Sequence, residues 1–170
     1  VSPFTGVILG VALSTTPHQG IYVSDAIVQK HKNWFHVLFK TRKVIFHNAK
    51  FDMGFMEHHY DFVFPDYEDT MLLHYCLEEA VGTHGLKPLA MRFTDLGDYE
   101  RELDDYKKTW ARQNKVKLED FNYGMLPSDI LAPYACKDAD ATFQLYRKFK
   151  PLVEKSPEFS KLYNNILMPA

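Results

Sequence analysis

Short runs of branched apolar residues alternate with helix-period segments along the first half of the chain, and this alternation limits the fold more than any other feature. Residues 7–15, VILGVALST, follow Gly6 and suit a pleated, half-buried surface, so a strand is predicted there. GIYVS at 20–24 comes after Pro17 and Gly20, which makes the pair a hairpin. In residues 25–40, Ile27, Val28, Trp34, Phe35, Leu38 and Phe39 recur with the spacing of one helix face. KVIFH at 43–47 is a short buried strand. NAKFDMGFMEHH then opens a helix with Asn48 as its N-cap. DFVF at 61–64 reads as a further strand stopped by Pro65, and DTMLLHYCLEE at 69–79 as a helix capped by Asp69. LKPLAMRF at 86–93 is a short helix, and residues 127–155 and 156–168 are helices as well. Strands mixed with helices, followed by helices alone, make an α/β protein.

The 170 residues suffice for one compact domain, and 46% apolar with 25% charged is an ordinary globular mixture. A formal net charge of −2 argues against a protein that grips long duplex, which demands a basic surface. It leaves room for a pocket that holds a few nucleotides and draws positive charge from bound metal. Cys76 and Cys136 read as free intracellular thiols, and no histidine has zinc-ligand spacing. The apolar run at the start lacks a positive n-region and follows Val1 rather than Met, so it reads as a strand rather than a signal peptide. No apolar run approaches ~20 residues, so no membrane span is expected. Residues 99–120 are mostly charged and read as a solvated helical face.

Two short stretches carry candidate chemistry. In YACKDADATFQLY at 134–146, a helix of 3.6 residues per turn puts Leu131, Ala135, Asp138, Thr142, Leu145 and Phe149 on one face, with Tyr134 and Tyr146 beside them. Lys137, Asp140, Gln144, Arg147 and Lys148 fall on the other, which makes Asp140 a surface residue near positive partners. Asp138 interrupts the apolar stripe, where a carboxylate must be paired, hydrogen-bonded or metal-bound. Taken alone, a buried Asp is more often a structural hydrogen-bonder than a ligand. In HNAKFD, a strand gives way to a helix, and Asn48 and Asp52 share a face at a helix N-terminus that favours anions. Helix capping and a favourable first-turn charge explain the same two residues.

The two stretches together, in this order, resemble the second and third motifs of the proofreading 3′→5′ exonuclease domain of family A DNA polymerases, the tyrosine subclass of the DEDD exonucleases. DTMLLHYCLEEAVGTHGLKPLA between them resembles that family's intervening helix and the segment after it. The likeness covers most of residues 5–95 and 127–170, and residues 96–126 match least. It implies a ribonuclease H-like fold with a mixed central sheet flanked by helices. It also implies two divalent cations, Mg²⁺ or Mn²⁺, held by four carboxylates. Two hard cations can activate water against an anionic phosphodiester and stabilise the leaving oxygen. Carried over by motif, Asp138 would hold the metal that activates water and Asp52 the second metal. Tyr134 would orient the water, and Asn48 would contact the terminal nucleotide.

The family's first motif, Asp-x-Glu on the first strand, would lie immediately before Val1. DYE occurs at 66–68 and 98–100, but neither reads as part of an apolar strand, and both are rejected. The expectation is therefore an exonuclease domain over 1–170, lacking its first, central strand and weak in both metal binding and nuclease activity as it stands. Residues 157–170 would lead toward a polymerase domain of the same protein. The expected partner is a single-stranded DNA 3′ end, and the expected state is a cytoplasmic monomer. Two rivals stand beside this reading: a ribonuclease D-like exoribonuclease, and a non-catalytic scaffold or DNA-binding module. The Asn48-to-Asp52 spacing and THGLKPLA favour the polymerase family over the first, and retention of Asp52, Tyr134 and Asp138 argues against the second.

Overall fold

In a computed structural model that describes residues 2–80 and 82–169, the chain is a set of helices around two short strand pairs. Strands β1 (Gly10–Leu13) and β2 (Ile21–Ser24) form the antiparallel hairpin, with Val11 opposite Val23. Helices α1 (Asp25–Lys30) and α2 (Lys32–Thr41) follow where one helix is predicted, and the break falls at His31. Strand β3 (Val44–Phe46) leads into α3 (Ala49–Tyr60). Strand β4 (Tyr67–Asp69) lies parallel to β3, with Phe46 opposite Asp69, and passes directly into α4 (Thr70–Leu77). Helices α5 (Leu86–Phe93), α6 (Arg101–Asn114), α7 (Ser128–Glu154) and α8 (Pro157–Leu162) complete the chain, ending in a π-helical turn at Tyr163–Leu167.

The α/β class holds, with corrections. Among the described residues the strands form two separate two-stranded ladders rather than one mixed sheet. Residues 61–64 are not a strand. Phe62 and Phe64 alternate inward because they pack with Phe35, Phe39, Phe46 and Tyr60, not because they pair with a neighbour. The strand comes after Pro65 instead, so the DYE at 66–68 does run into a strand, contrary to its predicted setting. Val1, before which the missing motif is expected, lies outside the described residues.

Helix α7 is the spine. It packs against β1, β2 and β3 on one side and α4, α5, α6 and α8 on others. Leu145, Phe149 and Val153 bury into a core shared with Leu73, Leu89 and Tyr163. Gly20 is required where the hairpin meets this helix, because a Cβ there would sit 2.8 Å from that of Cys136. Cys136 is thus a packing residue against the hairpin. Asp140 is not at the surface as predicted: it is 4% exposed and accepts a hydrogen bond from the His18 N–H at 3.0 Å. The helical wheel placed it opposite the apolar core, but that face is covered by the 14–20 turn, which no periodicity along α7 could reveal.

Asp69 joins the two helices that follow the β3–β4 ladder. One carboxylate oxygen accepts from the N–H groups of Asn48 (3.1 Å) and Met71 (2.8 Å), and the other accepts from Ala49 (2.8 Å). A single buried side chain therefore caps α3 and α4 together, satisfying donors that helix starts leave open. Its own N–H donates to the Tyr163 hydroxyl at 3.0 Å, and that hydroxyl donates to Glu68 at 2.8 Å. Lys43 and Lys150 complete the Glu68 cluster at 3.1 and 2.9 Å. Burial pushes the Glu68 carboxyl upward, but hydrogen bonds from Lys150, Tyr163 and Lys43 outweigh it and leave its pKa below the ordinary value. Asp69→Ala strips three acceptor contacts from buried donors, and about 2–4 kcal/mol of unfolding free energy should be lost. Urea titration of the variant checks this; a midpoint matching the parent's would show that the clasp carries no stability.

Candidate functional site

Three acidic residues from three elements meet near the C-terminal ends of β3 and β4. Asp52 comes from the first turn of α3, Asp69 from the end of β4, and Asp138 from the middle of α7. Asp69 turns its oxygens to backbone N–H groups. Asp52 is mostly buried, and its carboxyl is pushed up to about 6, first by burial and then by the negative charges of Asp69 and Asp138. Asp138 thus lies close enough to Asp52 for its charge to act on that carboxyl, behind burial and Asp69.

Asp138 is half-buried and doubly engaged. It forms a salt bridge with Lys87 and accepts a hydrogen bond from Tyr99 at 2.8 Å. Lys87 reaches it from the first turn of α5 between two aromatic rings, its Nζ lying 4.2 Å from the Tyr134 centroid and 4.5 Å from that of Tyr99. The ammonium thus balances the Asp138 carboxylate inside a partly desolvated aromatic clamp, where a cation–π contact is worth more than at an open surface. Tyr134 lies one turn before Asp138, and its hydroxyl donates a long bond to Glu100 at 3.5 Å. Burial and then the Asp138 charge raise the Tyr134 phenol far above its ordinary range, so it remains a neutral donor. His47, at the end of β3, has its pKa lowered by burial despite the opposing pull of Asp69 and Asp138, and its Nδ1 lies 2.8 Å from the Thr70 hydroxyl.

Asn48 occupies the predicted N-cap position but does not cap. Its backbone is left-handed (φ 67°), its side chain makes no capping bond, and Asp69 supplies the acceptors instead. A left-handed asparagine is tolerated because its short polar side chain suits that region. The exposed amide is therefore available beside Asp52. Glu68, in the rejected DYE, points to the other side of β4 from Asp69 and is committed to Lys43, Lys150 and Tyr163. Glu100, in the second DYE, reaches Tyr134 only through that long contact. Two surface concavities of about 330 and 420 Å³ share His31 and Trp34, and neither contains Asn48, Asp52, Tyr134 or Asp138.

Sequence reasoning missed Lys87, Tyr99 and the second capping role of Asp69. Lys87 sits in GLKPLA, where nothing local marks a lysine as pointing inward. Tyr99 is the one aromatic residue among its acidic neighbours at 98–102, and that isolation was the available signal.

The profile of a family described as 3'-5' exonuclease matches residues 2–154. The chain belongs to the DNA polymerase I-like 3′-5′ exonuclease domains. The DNA polymerase of Escherichia phage T5 is 42% identical over 173 residues, covering 96% of this chain and 20% of its own length. The DNA polymerase of Bacillus phage SP01 is 38% identical over 128 residues, 74% of this chain and 13% of its length. DNA polymerase I of Rhizobium leguminosarum is 30% identical over 104 residues, 61% of this chain and 9% of its length. The exonuclease domain thus spans a fifth or less of the curated polymerases it matches. As a family these are enzymes, and among the described residues no helix is long and apolar enough to cross a membrane.

The Asp52 shift gives the exonuclease domain a pH signature. An acid whose pKa rises on folding, from 3.8 to about 6, binds more proton folded than unfolded between those values. Stability therefore falls as pH rises from about 4 to about 6, by roughly 2–3 kcal/mol, and the penalty stays in full above that. Asp52→Asn should flatten this part of the profile. Denaturation of parent and variant at pH 4, 5, 6 and 7 tests it, and parallel profiles would mean the Asp52 carboxyl is unperturbed.

Proposed function

We propose that the acidic pocket is a 3′→5′ exonuclease centre that hydrolyses the terminal phosphodiester of a single-stranded or frayed DNA 3′ end, releasing nucleoside monophosphates. The single observation that supports this reading is the Asp52 carboxyl pushed up to about 6, by burial first and then by the charges of Asp69 and Asp138. Two carboxyls from separate helices are brought together at a cost, with one ammonium between rings as the nearby counter-charge. Hard oxygen donors concentrated in this way fit divalent cations. When bound, two such ions, Mg²⁺ or Mn²⁺, supply Lewis-acid stabilisation of the charge that builds on the phosphate and on the leaving oxygen.

The chain's own residues take the remaining roles. Asp52 and Asp138 provide carboxylate oxygens. Tyr134, held neutral by burial and by Asp138, donates its phenolic hydrogen to orient the attacking water. Asn48, with its amide unspent on capping, contacts the terminal nucleotide at the exposed end of α3. Among the described residues no three ligating side chains gather closely enough to hold an ion. Two carboxylates are half the set the family resemblance implies, so slow hydrolysis is expected of the 170 residues by themselves.

The finer architecture follows the same reading. Helix α7 packs against both β1 and β3, which supports the two ladders as halves of one ribonuclease H-like mixed sheet with a further strand between them. That the relatives are polymerases, several-fold longer than the match, supports a polymerase domain of the same protein as the partner, in a cytoplasmic, DNA-associated monomer.

Degradation of a 5′-labelled single-stranded DNA with Mg²⁺ or Mn²⁺ tests the proposal. The 170 residues alone should give only trace shortening. In a longer chain that carries an upstream Asp-x-Glu, shortening from the 3′ end should be robust. There, Asp138→Ala and Asp52→Ala should each abolish it, and Tyr134→Phe should slow it about 10²-fold or more. Full activity of Asp138→Ala would remove the site. Preferential shortening of a matched RNA would favour the ribonuclease D-like alternative.

A further inference from the structure

The second half of α6 and the turn after it carry a concentrated run of positive charge. Residues 106–117, YKKTWARQNKVK, contain Lys107, Lys108, Arg112, Lys115 and Lys117 and no acid, in a chain of net charge −2. The helix dipole favours cations at this end. It does not explain how the cations are arranged. Lys108 and Arg112 are i and i+4 on one helix face, and Lys115 follows at the left-handed C-cap just beyond the last turn. All three are exposed, and among the described residues none has an ion-pair partner. Like charges at that spacing repel one another, a cost the fold leaves standing.

This face is tied to the acidic pocket. Glu100, just before α6, meets the Tyr134 hydroxyl at 3.5 Å. Lys107, next to the ridge, donates to the Tyr123 hydroxyl at 3.1 Å with its Nζ 4.7 Å from that ring's centroid. The Tyr123 ring is exposed, and its centroid is 6.4 Å from that of Tyr134. At 1.5 Å of rise per residue, Arg112 lies about 18 Å along the helix axis from Glu100, the residue that meets Tyr134.

We propose that Lys108, Arg112 and Lys115 form a docking ridge for the phosphates of a single nucleic-acid strand, on the 5′ side of the terminus held at Asp138, with Tyr123 as a stacking face between ridge and pocket. The location of the terminus rests on the exonuclease reading; the ridge itself rests on charge and exposure. Each phosphate paired with a ridge cation releases counterions, so affinity falls with salt by a log–log slope of about 0.7 per contact. An exposed tyrosine ring accepts any base on its face.

The test is equilibrium binding to the full chain, in Ca²⁺, of a fluorescent 12-nucleotide single strand and, by competition, of a dinucleotide too short to reach from Tyr134 to Arg112. The triple variant Lys108→Gln, Arg112→Gln, Lys115→Gln should bind the 12-mer about tenfold or more weakly, with a salt slope smaller by about 2, and the dinucleotide as before. Unchanged 12-mer affinity and slope would overturn the proposal. So would a lower melting temperature with unchanged affinity, which would leave the cations as partners of the helix dipole alone. If 12-mer binding weakens as expected while Asp138→Ala in the longer chain with the upstream Asp-x-Glu still hydrolyses DNA, the ridge stands and the assignment of the pocket falls.

Discussion

The rest of the structure depends on the carboxylate of Asp69. Helix starts leave N–H groups without partners, and two of them lie buried side by side where parallel strands β3 and β4 both end. One side chain with two oxygens answers both, accepting from Asn48 and Ala49 on one helix and Met71 on the other. Because β4 runs straight into α4, Asp69 is at once a strand residue and a cap. Its position is secured in turn by Tyr163, more than ninety residues along the chain, which accepts from its N–H and donates to Glu68. The C-terminal turn is thereby coupled, bond by bond, to the first turn of α3, where Asn48 and Asp52 stand.

That clasp has an electrostatic consequence. It places a negative charge that, after burial and with that of Asp138, pushes the Asp52 carboxyl up to about 6. Lys87 offsets part of the charge, but it sits on Asp138 and between Tyr99 and Tyr134, leaving Asp52 without a comparable partner. Buried like charges are a cost to folding, and they are retained where something cationic is meant to relieve them.

Helical spacing along α7 was enough to single out Asp138 and Tyr134, since both the period and the apolar stripe are local properties. The same reasoning failed for Asp140, two residues on, because the turn that covers it arrives from residues 14–20. Asn48 was placed at the right position for the wrong reason. Residues that cap usually do so with their own side chain, and here a distant carboxylate took the role. DFVF alternates like a strand and is instead an extended aromatic segment of the core, its apolar residues held by ring contacts with α2 and β3.

By itself the sequence determined the α/β class, the hairpin, the helix boundaries to within a few residues, and the pairing of two motifs that carry the family. All of these are written in periodicity and short-range spacing. Only the tertiary structure decided that Lys87 and Tyr99 meet Asp138, and that Asp69 rather than Asn48 closes the start of α3. Those outcomes turn on contacts between residues 20 to 51 positions apart. No local pattern encodes such contacts, because the energy that selects them comes from burial and charge shared across the whole packed chain.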